Sequence, residues 1–108
     1  MIYIVNKSEI VKNGDFTIFF YATWMPFLSK MKVMIEKIEN EHPSHKFYAV
    51  DVDQFKDLIK EYRVSCVPTF TIYNNGRKLD QAEGLILTKA FRTIYRKMKE
   101  NGKKENKS

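Results

Sequence analysis

Cysteine is nearly absent from this chain. One residue in 108, Cys66, carries a thiol, so no disulfide can close within the chain and a reducing compartment is the expectation. Long hydrophobic runs are missing as well. None approaches the roughly 20 apolar residues that a membrane-crossing helix needs, so no transmembrane segment is expected. The first residues, Met1-Ile2-Tyr3-Ile4-Val5-Asn6, lack the charged start, apolar centre and small-residue cleavage site of a secretory signal. These absences together set an expectation of a cytoplasmic protein. No internal repeat, phosphate-binding loop, Ser/His/Asp arrangement or paired-carboxylate motif is found. What is present is a globular composition, 44% hydrophobic and 14% aromatic, outside the disordered range. The length fits one domain that buries a core without staples.

The net charge of +6 is unevenly placed. Residues 1–88 hold 11 Lys/Arg and 11 Asp/Glu, whereas residues 89–108 hold 8 Lys/Arg and 2 acids. One explanation is a solvated face with cations favourably placed at a helix C-terminus. The other is an electrostatic handle for an acidic partner, nucleic acid or a membrane surface. No aromatic residue is interleaved among the terminal lysines, so base stacking there has no support and nucleic acid is not an expected partner.

Residues 2–5 are a short β-prone run, residues 8–12 a brief first helix, and Asn13-Gly14-Asp15 breaks it. Residues 16–21 are aromatic, β-branched and almost wholly apolar, which predicts a strand covered on both faces. From Phe27 to about Glu41, Leu28, Met31, Ile35 and Ile38 recur at helical spacing among charged residues. His42-Pro43-Ser44-His45 ends that helix; two imidazoles with no cysteine nearby make a polar turn, not a metal site. Residues 46–53 predict a strand and an acidic turn, and residues 54–62 a helix with Phe55, Leu58, Ile59 and Tyr62 on one stripe. Residues 64–68 are a loop, and Phe70-Thr71-Ile72-Tyr73 turns at Asn75-Gly76 into an antiparallel return over 78–83. Thr88 is an N-cap for a last helix with Phe91, Ile94, Tyr95 and Met98 facing the core. The pattern is α/β: parallel strands with helical crossovers, then a hairpin.

Several landmarks stand together at fixed spacing. Ala22-Thr23-Trp24 ends the apolar run, Val67-Pro68-Thr69 precedes a strand, Asn75-Gly76 follows that proline by eight residues, and Gly84 stands eight further on. With this element order they resemble thioredoxin over about residues 2–100. The resemblance implies a thioredoxin fold, a central mixed β-sheet flanked by helices on both faces. It also implies one domain over 1–100, followed by a basic tail over 101–108 that reads as disordered. Trp24-Met25-Pro26-Phe27-Leu28 resembles the family's Trp-Cys-x-x-Cys, with the Pro-aromatic pair of a glutaredoxin-like variant. It also implies a cis peptide at Pro68.

The departures are chemical. Met25 stands at the attacking cysteine and Leu28 at the resolving one, while the family's buried acid falls at Phe19 and its companion lysine at Ala49. Disulfide exchange requires a thiolate. A thioether has no ionisable proton and a leucine no heteroatom. The expectation is therefore a redox-inactive binding module with no cofactor and no metal. An apolar patch of Trp24, Met25, Pro26 and Phe27 and a groove of Val67, Pro68, Thr69 and Gly84 receive a protein or extended peptide; Leu28 fills the space of the lost sulfur. The alternatives are a thiol–disulfide oxidoreductase seen with altered cysteines and a monothiol role for Cys66, which otherwise reads as a small, partly buried loop residue. A further alternative is an adaptor whose basic C-terminal helix meets an acidic partner.

Overall fold

A computed structural model describes residues 1–84. The helix expected from Thr88, its apolar stripe and the basic tail lie outside the described residues. Five strands, β1 (Ile2–Tyr3), β2 (Phe16–Tyr21), β3 (Lys46–Asp51), β4 (Thr69–Asn74) and β5 (Arg77–Glu83), form one sheet in the order β1-β3-β2-β4-β5. β1, β3 and β2 run parallel, and β4 and β5 close the sheet antiparallel. The apolar run 16–21 is the central strand. It bonds to a neighbour on each side and is buried on each face, which is why it carries no polar alternation.

Two helices cross between strands, α1 (Leu28–Glu41) from β2 to β3 and α2 (Lys56–Glu61) from β3 to β4. Met31, Ile35 and Ile38 are the buried stripe of α1. Register places Tyr3, Ala49, Phe19 and Phe70 in one row on one face of the sheet, and Ile2, Tyr48, Ile18 and Thr71 on the other. Lys32 of α1 lies 5.5 Å from the Tyr3 ring, so α1 covers the Phe19 face. Tyr62, at the end of α2, lies 5.6 Å from Phe20 and puts α2 on the opposite face.

Boundaries differ from the sequence expectation where local hydrogen bonds intervene. The first helix is a single 3-10 turn, Lys7–Glu9, closed by a capping box. It stops there because Ile10 enters the core and the Val11 N–H donates to the Tyr48 hydroxyl at 3.3 Å. β3 ends at Asp51, whose side chain accepts the Asp53 N–H at 2.9 Å and turns the chain. His45 is buried, with Nε2 2.7 Å from the Thr17 hydroxyl, so it belongs to the core and not to a solvated turn. In the hairpin, Asn75 and Gly76 both have positive φ, 51° and 77°, as a tight inward turn requires. A Cβ at position 76 would lie 3.1 Å from the Lys12 carbonyl oxygen.

Candidate functional site

The chain leaves β2 through a turn in which the Met25 N–H donates to the Ala22 carbonyl at 3.1 Å. This turn separates two neighbouring side chains. Trp24 sits at its corner, 68% exposed, and Met25 folds back to 7% exposure within the core cluster. The expected apolar patch is corrected at this residue. Met25 is apolar, unbranched and able to fill an irregular gap, so the turn geometry and the hydrophobic effect both draw it inward. Pro26 is exposed and Leu28 half-buried. Phe27 is 55% exposed and left-handed, φ 63° and ψ 15°, immediately before α1. That conformation is an outlier for a bulky residue. It holds the ring out, with Lys30 Nζ 5.4 Å from its centroid.

The opposing loop is braced from below. The Val67–Pro68 peptide is cis. Thr69 is fully buried, and its hydroxyl donates to the Cys66 carbonyl at 2.6 Å. Thr69 therefore supports the loop from inside, and its side chain is not part of an open groove. The Gly84 N–H donates to the Pro68 carbonyl at 3.2 Å, tying β5 to the same loop. Among the described residues, neither backbone polar group of Val67 bonds to another backbone group.

Between the two loops lies a cleft of about 390 Å³, lined mainly by Trp24, Val52, Ile59, Val64, Cys66 and Val67. Of the residues singled out from sequence, the fold brings Trp24, Cys66 and Val67 together in it. Val52, Ile59 and Val64 were missed. Ile59 reads as part of a buried stripe on α2, yet only Leu58 in that helix is buried. The Trp24 indole N–H donates to the Asp53 carboxylate at 3.2 Å, which fixes the ring at the cleft mouth. From sequence, Asp53 reads as part of an acidic turn.

Cys66 is exposed, not partly buried. The Glu83 carboxylate, which favours the protonated thiol, and then desolvation push the Cys66 thiol above the ordinary range. The thiolate is the reactive form. Iodoacetamide is therefore expected to modify Cys66 at pH 7 more slowly than a free cysteine peptide, and Glu83→Gln to speed the reaction. Mass spectrometry of timed samples reads both rates; equal rates for chain and peptide would contradict a thiol held above its ordinary range. Beneath the loops, Phe19 and Ala49 fill the acid and lysine positions with apolar side chains. Among the described residues no group of three or more His, Cys, Asp or Glu side chains could hold a metal ion.

Comparison with known proteins gives a consistent result. A family model described as Thioredoxin matches residues 5–99. Thioredoxin-1 of Saccharomyces cerevisiae is 32% identical over 77 residues, covering 71% of this chain and 75% of that protein. Glutaredoxin 3 of Danio rerio is 27% identical over 80 residues, 71% of this chain, but the chain spans only 24% of that longer protein. Among solved structures, the X-ray structure of Fasciola hepatica thioredoxin superposes with a TM-score of 0.77 at 26% identity, covering 89% of this chain and 98% of that one.

Proposed function

The chain belongs to the thioredoxin family, and we propose that it is a redox-inactive member that binds a protein or extended peptide between the Trp24 loop and the cis-Pro68 loop. One observation carries the first half: the whole chain contains a single cysteine, and positions 25 and 28 hold Met and Leu. A dithiol cycle needs one thiolate to attack and a second thiol to resolve the mixed disulfide. A chain with one thiol has no resolving partner. The monothiol alternative is weakened by the raised pKa of the Cys66 thiol, which favours the protonated form. A cytoplasmic location, suited to a chain without disulfides, is part of the same proposal. Among the described residues no helix is long and apolar enough to cross a membrane.

Support for the second half is the cleft itself. Trp24 stands exposed at one side, and Phe27 is exposed three residues further along the same loop. On the other, the Val67 backbone groups bond to no other backbone group among the described residues, which suits pairing with an extended strand. Exposed aromatic side chains beside a concave apolar wall are the usual centres of binding energy. Peptides selected from a random library on the immobilised chain are expected to lose at least ~30-fold in affinity on Trp24→Ala plus Phe27→Ala, about 2 kcal/mol for hot-spot aromatics. Circular dichroism confirms that the variant remains folded. Selected peptides that ignore both changes would remove the docking reading, and turnover of insulin disulfides by the unmodified chain would remove the redox-inactive one.

A further inference from the structure

No charged side chain lines the cleft, yet each of its two walls has a carboxylate tied to it. On the Trp24 side, Asp53 is exposed and follows the lining residue Val52. One of its oxygens accepts the Trp24 indole N–H at 3.2 Å. On the other side, β-sheet register pairs Glu83 with Thr69. Residues paired in this way share a face of the sheet. Thr69 is in register with Phe20, which meets Tyr62 at the end of α2, so Glu83 stands on the face that α2 covers. On that same face Gln81 donates to the Arg63 carbonyl at 3.3 Å, beside the lining residue Val64. The Thr69 hydroxyl donates to the Cys66 carbonyl at 2.6 Å, and the Glu83 carboxylate is the first cause of the raised Cys66 thiol. Glu83 therefore sits beside Cys66, at the border of the cleft.

Both carboxylates keep their charge. An indole N–H and a thiol are neutral donors, and neither Asp53 nor Glu83 forms an ion pair among the described residues. The apolar cleft is thus flanked by two negative charges, one at each wall. The described residues as a whole carry no opposing excess, since residues 1–84 hold 11 Lys/Arg and 11 Asp/Glu. The net +6 of the full chain repels cations at long range. Salt screens that repulsion beyond about 8 Å at physiological ionic strength, whereas pairs in direct contact persist.

Resting on the docking reading above, we infer that the occupant of the cleft is a basic extended peptide, one bulky apolar side chain entering the cleft and flanking cations meeting Asp53 and Glu83. In an extended strand, alternate side chains share a face at a spacing of roughly 6.5 Å. The pattern cation-x-apolar-x-cation therefore seats the anchor and sends one long side chain toward each wall. Arginine suits the pattern best, because its planar fork matches a carboxylate with two parallel hydrogen bonds. The apolar contact supplies affinity and the two carboxylates supply selection.

The test uses dye-labelled Gly-Arg-Ser-Leu-Ser-Arg-Gly, its analogue with the neutral isostere citrulline at both Arg positions, and its analogue with Leu changed to Ser. Fluorescence anisotropy with the full chain is read at about 150 mM NaCl, where the long-range field is screened. The Arg peptide is expected to bind roughly fivefold tighter than the citrulline peptide, the upper range for an exposed pair, and tighter than the Ser analogue. The variant Asp53→Asn/Glu83→Gln is expected to bring the Arg peptide down to the citrulline peptide's affinity. Both substitutions keep an acceptor oxygen, so Trp24 retains its partner, and circular dichroism checks the fold. Equal binding of the Arg and citrulline peptides to the unmodified chain would overturn the basic preference and leave the docking reading standing. A preference that survives in the variant would overturn the assignment to Asp53 and Glu83. If the Ser analogue binds as well as the Leu peptide, the contact is charge alone and the anchor in the cleft falls. If none of the three binds, the basic reading falls, and the library selection decides the docking reading by itself.

Discussion

Phe19→Asp, which places a carboxyl where the thioredoxin family keeps its buried acid, is expected to leave the domain largely unfolded at pH 7.5. Phe19 is 0% exposed, its ring stacked 4.8 Å from Phe70 and 5.5 Å from Tyr21. The residue that pairs with it on β3 is Ala49, where the family's lysine falls. Removing the phenyl group alone costs about 3–5 kcal/mol. An acid without a cation adds the cost of a buried, unpaired group. The sum matches the whole stability of a small domain, about 5–15 kcal/mol. The sign of the pH dependence is diagnostic. Burial without a partner raises the carboxyl's folded-state pKa, so the folded variant holds a proton that the unfolded chain releases. Its stability falls as pH rises above the unfolded carboxyl's value. The urea midpoint of Phe19→Asp should therefore be higher at pH 4.5 than at pH 7.5 relative to the unmodified chain, and Phe19→Leu should retain most of its stability at both. A wild-type midpoint for Phe19→Asp at pH 7.5 would refute the account of this core.

Restoring the two cysteines is expected to restore little of the reaction. Met25→Cys/Leu28→Cys supplies the missing sulfur, yet position 25 faces the core at 7% exposure. A thiol buried among apolar side chains has a raised pKa and poor access to a partner disulfide. Phe19 offers no proton acceptor below it, and positioned proton transfer contributes about 10²–10⁴-fold in enzymes generally. In dithiothreitol-coupled insulin reduction the double variant is therefore expected to run at least ~100-fold slower than the yeast thioredoxin-1 to which this chain is similar. The unmodified chain should show no rate above the blank. Turnover of the double variant within tenfold of that thioredoxin would mean that the loop carries the chemistry alone. In that case the loss of acid and lysine at positions 19 and 49 is irrelevant to it.

Much of the fold was legible because its signals are local. The uninterrupted apolar run 16–21 identified the doubly covered central strand, and the spacing of Met31, Ile35 and Ile38 identified the buried face of α1. Asn75-Gly76 identified the hairpin through the positive φ values that few residues accept. The candidate site was legible only in part. Trp24, Cys66 and Val67 line one cleft, but Ile59 and Val64 carry no mark in sequence that separates a cleft wall from a core stripe. Asp53 looked like any turn acid until the fold set it under the Trp24 indole.

What the sequence determined by itself is the class of fold and the absence of a second thiol from these 108 residues. Helical and strand periodicity, and the presence or absence of a sulfur atom, are properties of the chain that no packing alters. What only the tertiary structure decided is direction. Met25 turns inward while Trp24 turns outward, Thr69 props a loop from within, and Asp57 and Glu61 of α2 pair with Lys7 and Lys12 from the segment before β2. Those outcomes depend on which groups lie opposite one another across segments distant in sequence, and burial and charge pairing are set by such neighbours rather than by the residue itself.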